Sequence, residues 1–273
     1  MEIYKIIACD LDGTLLNNNA EISRENIEAI NELDKMGVLF VPCSGRSISE
    51  IPQNIRELPS VRYIIHSNGA SVFEKASGRQ ISNSIPSELN EEIYDLFNSC
   101  EAHICFRSNG RSFVDANFQK DEDYDYYNVC NEHRVVVRNF ATYVDDLRAA
   151  LCSTDNIEVF SIFFKSYEEK QKCKEYLYRY KELRSVEVSR HNLEIVSIDA
   201  GKGNALYKLA DLVGVPYSQT MSIGDGDNDR TVTEAAGLGL AVSNACESLK
   251  AIADEIICSN EEHVVEYVLK KYF

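Results

Sequence analysis

The sequence predicts an α/β fold: a doubly wound parallel-sheet core interrupted by an inserted α+β domain. Three observations predict it. Near both ends of the chain, continuously apolar runs alternate with stretches of helical periodicity, the middle combines helices with hairpin-like runs, and polar residues collect where the apolar runs stop. Apolar runs without alternation belong to strands covered on both faces, as in parallel sheets between helix layers.

The first strand lies in "YKIIACD". In "ISRENIEAINELDKMGVLFVPCSGR" the residues Ile27, Ile30, Leu33 and Met36 recur at helical spacing, with Ser23 as N-cap and Gly37 as the stop, before the apolar strand "VLFVPC". Strand, helix and strand at this spacing form a βαβ unit. A helix around residues 48–58 and a strand in "RYIIHSNGA" continue the series. Toward the C-terminus come a helix over 203–213, the strand "TMSIGD", a helix over 228–236, the strand "LGLAV", a helix over 246–253, the strand "EIICS" and a last helix from Glu261.

Between these halves the pattern changes. It predicts a helix in "SELNEEIYDLFNSC", a hairpin in "HICFRSNGRSFVDANF" turning at Asn109-Gly110, and a helix near 142–152. These are followed by the strand "IEVFSIFFK", a helix over 167–180 and the strands "VEVSRH" and "LEIVSID". The expected organisation is a core formed by 1–82 and 198–273, with an inserted domain over 83–197 and hinges near residues 83 and 198.

Among 273 residues, 44 acidic against 28 basic side chains give a formal charge of −16. That balance argues against a protein tracking a phosphate backbone or an anionic membrane, so neither nucleic acid nor membrane is expected as a partner. The nine cysteines include no C-x-x-C pair, and Cys9, Cys43 and Cys258 sit in apolar runs. Reduced, buried thiols of a cytoplasmic protein fit this usage, and the start on a strand-like run without a leader agrees. The five histidines show no zinc spacing. No feature sets an oligomeric state.

Asp10 and Asp12 stand two positions apart at the mouth of the first strand. Carboxylates held that close oppose one another's ionisation unless a cation or a shared proton intervenes. Three more polar stretches stand at strand or helix ends: "SGR" at 44–46, "GKG" at 201–203 and "GDGDND" at 224–229. Together they match the needs of phosphoryl transfer from an alcohol to water. Asp10 is the candidate nucleophile, and Asp12, on the same side of an extended chain, the acid and base. Ser44, Gly45, Lys202 and Asn228 are candidates to hold the phosphate, Gly45 by letting the backbone come close. Asp10, the Asp12 carbonyl, Asp225 and Asp229 are candidates to hold Mg²⁺, a hard cation that prefers oxygen ligands. Gly13 lets the chain bend away and Thr14 can hold the turn. Read singly, "SGR" and "GKG" are turns or caps, and "GDGDND" lacks the rest of a calcium loop; their conjunction at α/β junctions carries the reading.

The four stretches resemble, in order, the motifs of the haloacid dehalogenase-like superfamily of aspartate-nucleophile phosphatases. "SNGA" at 67–70 and "LEI" at 193–195 resemble its Cof-like branch, whose large type IIB cap follows the third core strand. The resemblance implies a Rossmann-like core, a cap domain over 83–197 that closes over a small phosphorylated substrate, and a Mg²⁺-dependent phosphatase acting on metabolites such as sugar phosphates. Val232 stands where relatives often carry Met, a packing position. Arg46 resembles a residue near the phosphate, and its other reading is a surface ion pair. Asn68 either contacts substrate or caps a turn, Glu194 is a candidate link between cap and core, and "KDEDYDYY" at 120–127 is either an entrance lining or a solvated face. Transfer to an acceptor hydroxyl, as in a phosphomutase, is the alternative enzyme reading. A non-catalytic phospho-ligand sensor would lack one of the aspartates, and none is missing. An ion pump would need membrane segments and a different residue at 12.

Overall fold

The computed structural model describes residues 4–154, 156–187 and 189–273. Their contacts divide them into two units, the first holding residues up to 46, 51–81 and 201–273, the second holding 47–50 and 82–200. From the N-terminus come β1 (Ile6–Cys9), α1 (Arg24–Lys35), β2 (Leu39–Pro42), the single-turn α2 (Gln53–Arg56), β3 (Tyr63–His66), β4 (Ser71–Glu74) and β5 (Arg79–Ser82). Ser23 caps α1 by accepting the Asn26 N–H at 3.2 Å.

The inserted stretch contains α3 (Asn90–Asn98), β6 (Ala102–Ser108), β7 (Arg111–Asp115), α4 (Asp121–Tyr126), α5 (Asn131–Phe140) and β8 (Thr142–Val144). It continues with α6 (Leu147–Cys152), β9 (Ile157–Phe164), α7 (Tyr167–Leu177), β10 (Leu183–Val186) and β11 (Asn192–Ser197). The chain then returns to the first unit with α8 (Lys202–Val213), β12 (Thr220–Gly224), α9 (Arg230–Ala235), β13 (Leu238–Ala241), α10 (Glu247–Lys250), β14 (Glu255–Ile256) and α11 (Val264–Tyr272).

The first unit is built on a parallel sheet in the order β14-β13-β12-β1-β2. Parallel bridges from Phe40 to Val61 and from Cys43 to Ile65 attach β3, which also opens an antiparallel sheet with β4 and β5. Ile6, Ala8 and Val41 pack against Ala205, Leu206 and Leu209 of α8 and Val232 of α9. Successive residues of a strand face opposite sides, and Ile7 and Cys9 are equally buried. On their side α1 packs on α11 and on β2. This is the doubly wound α/β arrangement, with Asp10, Ser44, Asn68 and Asp225 just beyond the carboxyl ends of β1, β2, β3 and β12.

In the second unit the sheet runs β10-β11-β9-β6-β7-β8, antiparallel except for the β7–β8 pair. Ile104 and Phe106 of β6, Phe160, Ile162 and Phe164 of β9, and Leu193 and Ile195 of β11 pack with residues of α3, α6 and α7. Their alternates Cys105 and Phe163 pack with Val114, Tyr124, Val129 and Val137. No helix among the described residues is long and apolar enough to cross a membrane.

Several local expectations are corrected. Pro52 lacks an N–H and steers its predecessor out of the helical region, so 48–58 breaks into a tight turn over Ile48–Glu50 and α2. Residues 142–144 form strand β8, and only Leu147–Cys152 is helical, starting where Asp146 accepts the Ala149 N–H at 2.9 Å. The strand expected over "VEVSRH" lies earlier, at β10; Val188 within it lies outside the described residues. Beyond the elements the sequence predicts are the β4–β5 hairpin and the helices α4 and α5. Most of "KDEDYDYY" is exposed, but its Tyr124 is 1% exposed and anchors α4.

His103 is buried against Phe118 and Tyr124, and its Nδ1 finds no hydrogen-bond partner among the described residues. Burial pushes its pKa from 6.5 down to about 4, against the opposing influence of Asp115 and Asp123. The unfolded chain therefore binds the proton more readily, and the stability due to neutral His103 is complete above pH 6.5 and lost as the pH falls toward 4. The full loss amounts to about 3 kcal/mol. Urea denaturation of wild type and His103→Phe between pH 7 and pH 4 is expected to show a shallower acid loss for the variant; parallel losses would exclude this origin.

Candidate active site

The residues after β1 form a turn over 10–16. The Asp10 N–H donates to the Ile223 carbonyl of β12 at 2.9 Å, which fixes Asp10 next to Asp225. Gly13 adopts φ +77°, and a Cβ there would lie 2.5 Å from Asp225 Oδ2. Only glycine meets both conditions. Thr14 Oγ1 donates to Asp225 Oδ1 at 3.0 Å, so its hydroxyl reaches across to a second strand end rather than merely closing its own turn.

Lys202 opens α8 and is 1% exposed. Its Nζ donates at 2.6 Å to Asp10 Oδ1 and at 2.6 Å to Asp229 Oδ1. The other Asp229 oxygen accepts the N–H groups of Asp225 and Gly226, each at 3.1 Å. Asp229 thus holds both the Asp225 loop and Lys202. One carboxylate oxygen from each of Asp10, Asp225 and Asp229 lies within 4.8 Å of the others. Burial, followed by the pull of Lys202 in the opposite sense and the push of Asp229, leaves the Asp10 carboxyl well above the usual range. Asp225 is also raised, first by burial. For Lys202, burial lowers the pKa, but Asp10 and Asp229 outweigh it and the ammonium is held charged. Three carboxylates against one ammonium leave excess negative charge, which a divalent cation with a preference for oxygen would offset.

Ser44 is buried, and its Oγ accepts the Arg46 N–H at 3.2 Å. Arg46 forms a two-pronged pair with Asp12, Nε to Oδ2 at 2.9 Å and an Nη2 to Oδ1 at 2.6 Å. Arg46 is thus an ion-pair partner, but of the second motif aspartate rather than of a remote surface group. Asn68 lies in a left-handed run with Ser67 and Gly69. Its N–H donates to the Ser44 carbonyl at 3.1 Å and that of Ser67 to the Arg46 carbonyl at 2.8 Å. Its side-chain oxygen accepts from Asn228 Nδ2 at 3.4 Å and would lie 2.9 Å from a Cβ at Gly45, so a larger residue there would push the Asn68 amide aside. The contacts form two groups, one of Asp10, Lys202, Asp225 and Asp229, the other of Ser44, Arg46, Asp12, Asn68 and Asn228, which the chain itself joins at Asn228-Asp229 and through Leu11.

Two residues that support this constellation carry no sequence signal. Asn244 Nδ2 donates to the Gly13 carbonyl at 2.8 Å, and the Asn260 N–H donates to Asn244 Oδ1 at 3.0 Å. Each is a lone asparagine in a polar loop. Glu194, on β11, lies 3.8 Å from Arg107 within the second unit.

The profile of the haloacid dehalogenase-like hydrolases matches residues 7–269. Phosphatase YwpJ of Bacillus subtilis is 30% identical over 97% of this chain and 99% of its own. The 5-amino-6-(5-phospho-D-ribitylamino)uracil phosphatase YwtE of the same organism is 28% identical over 97% of this chain and 96% of its own. In fold, a haloacid dehalogenase-like hydrolase from Bacteroides thetaiotaomicron superimposes with a TM-score of 0.82 at 23% identity, covering 99% of this chain and 100% of that one. With its matching profile, its near full-length relatives and its cluster of aspartates at the strand ends, the chain belongs to the haloacid dehalogenase-like hydrolases, in their Cof-like branch, and is a phosphatase.

Proposed function

We propose that the protein hydrolyses small phosphorylated metabolites, sugar phosphates among them, through an aspartyl-phosphate on Asp10 with Mg²⁺ as cofactor. The observation that carries the reading is Asp10 itself, buried beside Asp225 and Asp229 with one carboxylate oxygen fixed by Lys202.

Asp10 Oδ1 is engaged by Lys202, so Oδ2 is the oxygen to attack phosphorus. As the P–O bond to the alcohol breaks, Asp12 gives that oxygen a proton. In the second step Asp12 takes a proton from water, the water oxygen attacks phosphorus, and inorganic phosphate leaves with Asp10 regenerated. Asp12 must exchange its proton, so the Arg46 guanidinium moves from Asp12 to the phosphate oxygens when substrate arrives. Ser44 Oγ accepts from the Arg46 N–H and keeps its own proton for the phosphate. Asn228 adds an amide donor, and Asn68 and Gly45 hold the backbone of this loop in shape.

The donor set fits Mg²⁺, which takes hard oxygen ligands. Asp10, the Asp12 carbonyl and Asp225 would hold it, with Asp229 acting directly or through water. Bound there, Mg²⁺ offsets the crowded carboxylates and the charge of the phosphoryl group. The similarity to YwtE, named for a phosphate monoester on a ribityl chain, supports a polyol or sugar phosphate as substrate.

The test is phosphate release from sugar, nucleotide and cofactor phosphates and from 5-amino-6-(5-phospho-D-ribitylamino)uracil, with Mg²⁺ or with EDTA. Turnover is expected on sugar-like monoesters, with a loss of at least about 100-fold in EDTA. Absence of hydrolysis with Mg²⁺, or indifference to EDTA, would overturn the reading; phosphate appearing on added alcohols would redirect it to transfer.

A further inference from the structure

Within the second unit two thiols face one another. Cys100 follows the end of α3, Cys173 lies within α7, and their sulfurs are 3.3 Å apart although the residues are 73 positions apart in sequence. That separation is closer than two unbonded sulfurs ordinarily stand, against a bonded distance of about 2.05 Å. Cys173 is buried in the core formed by Phe97, Phe164 and Leu177, and Cys100 packs on the edge of that core with partial access to solvent. The Cys100 thiol also reaches the Leu96 carbonyl at 3.4 Å. Among the described residues all nine cysteines are free thiols.

We propose that Cys100 and Cys173 form a redox-modification site, a dithiol that a low-mass disulfide such as oxidised glutathione converts to an internal disulfide. The partly exposed Cys100 loses its proton to solvent and its sulfur attacks one sulfur of the reagent, releasing one thiolate and leaving a mixed disulfide on Cys100. Cys173 then loses its proton, attacks the Cys100 sulfur and displaces the second thiolate. The two cysteine thiols are oxidised, the reagent is reduced to two thiols, and no other electron acceptor is needed. The order follows exposure: Cys173 is shielded from the reagent but not from Cys100. Burial and then the neighbouring Cys100 push the Cys173 thiol up to about 12, so the second step is the slow one.

The experiment incubates the whole protein with oxidised glutathione, blocks residual thiols by alkylation and maps the peptides by mass. A Cys100–Cys173 cross-link that a reductant removes is expected. Closing a loop of this length restricts the unfolded chain, and a rise in melting midpoint of about 5 °C or more accompanies the cross-link. In Cys173→Ser the reaction stops at the first step, with the glutathionyl group retained on Cys100. Recovery of wild-type Cys173 as a free thiol, whether Cys100 is modified or untouched, would overturn the proposal. Mapping the wild type decides this even if the variant fails to fold.

Discussion

Replacing Asp10 by Asn is expected to lower kcat by at least about 10⁴-fold while the fold persists. An amide has the shape of the carboxylate but cannot form the acyl-phosphate. The cost to stability is small, because burial already disfavours the charged form of Asp10 and Lys202 keeps its second partner, Asp229, at 2.6 Å. Phosphate release measured beside urea denaturation separates the two effects. A variant that folds normally and retains substantial turnover would remove Asp10 from the role of nucleophile.

Lys202→Met is expected to damage both the fold and the chemistry. The ammonium is the partner shared by two buried carboxylates, and removing one member of such a group costs about 3–5 kcal/mol. The deficit has a sign that can be checked. Without Lys202 the folded Asp10 holds its proton to still higher pH than the unfolded chain, whose carboxyl titrates near 3.8. The folded variant therefore binds more protons, and its stability falls as the pH rises. Both forms lose stability as the pH rises, the variant more, so the gap between their urea midpoints should widen with pH. A deficit independent of pH would assign the loss to packing of the lysine stem, and wild-type stability at pH 7 would refute the shared-partner account altogether.

The parts of this molecule legible in its sequence are those where one physical demand fixes residue type and position together. The strand β1, the capped helix α1 and the strand β2 follow from apolar continuity, helical spacing and Ser23. Of the aspartates placed at strand ends, those at 10, 225 and 229 crowd together as the pattern requires, whereas Asp12 turns out to Arg46 instead. Other features depended on partners far along the chain. The acidic stretch around Tyr124 reads as a solvated face because only its tyrosines 124 and 127 pack inward, while Pro52 divides an apolar-periodic run that otherwise reads as one helix. Asn244 supports the Gly13 turn from 231 positions away, and Cys100 meets Cys173 across 73, neither with a local pattern to mark it.

The assignment of 47–50 to the second unit bears on how such proteins can be recombined. Within that unit Glu50 accepts the Ser47 N–H at 2.7 Å and the Ser112 hydroxyl at 3.1 Å. Burial raises its carboxyl, but the charge of Arg107 and these hydrogen bonds outweigh it and hold Glu50 ionised. A chimaera that exchanges only residues 82–200 for those of a relative would strand this carboxylate without its arginine and serine. Grafting therefore requires two cassettes rather than one, the long insert together with the four-residue piece Ser47–Glu50 that immediately follows the Ser44–Arg46 loop.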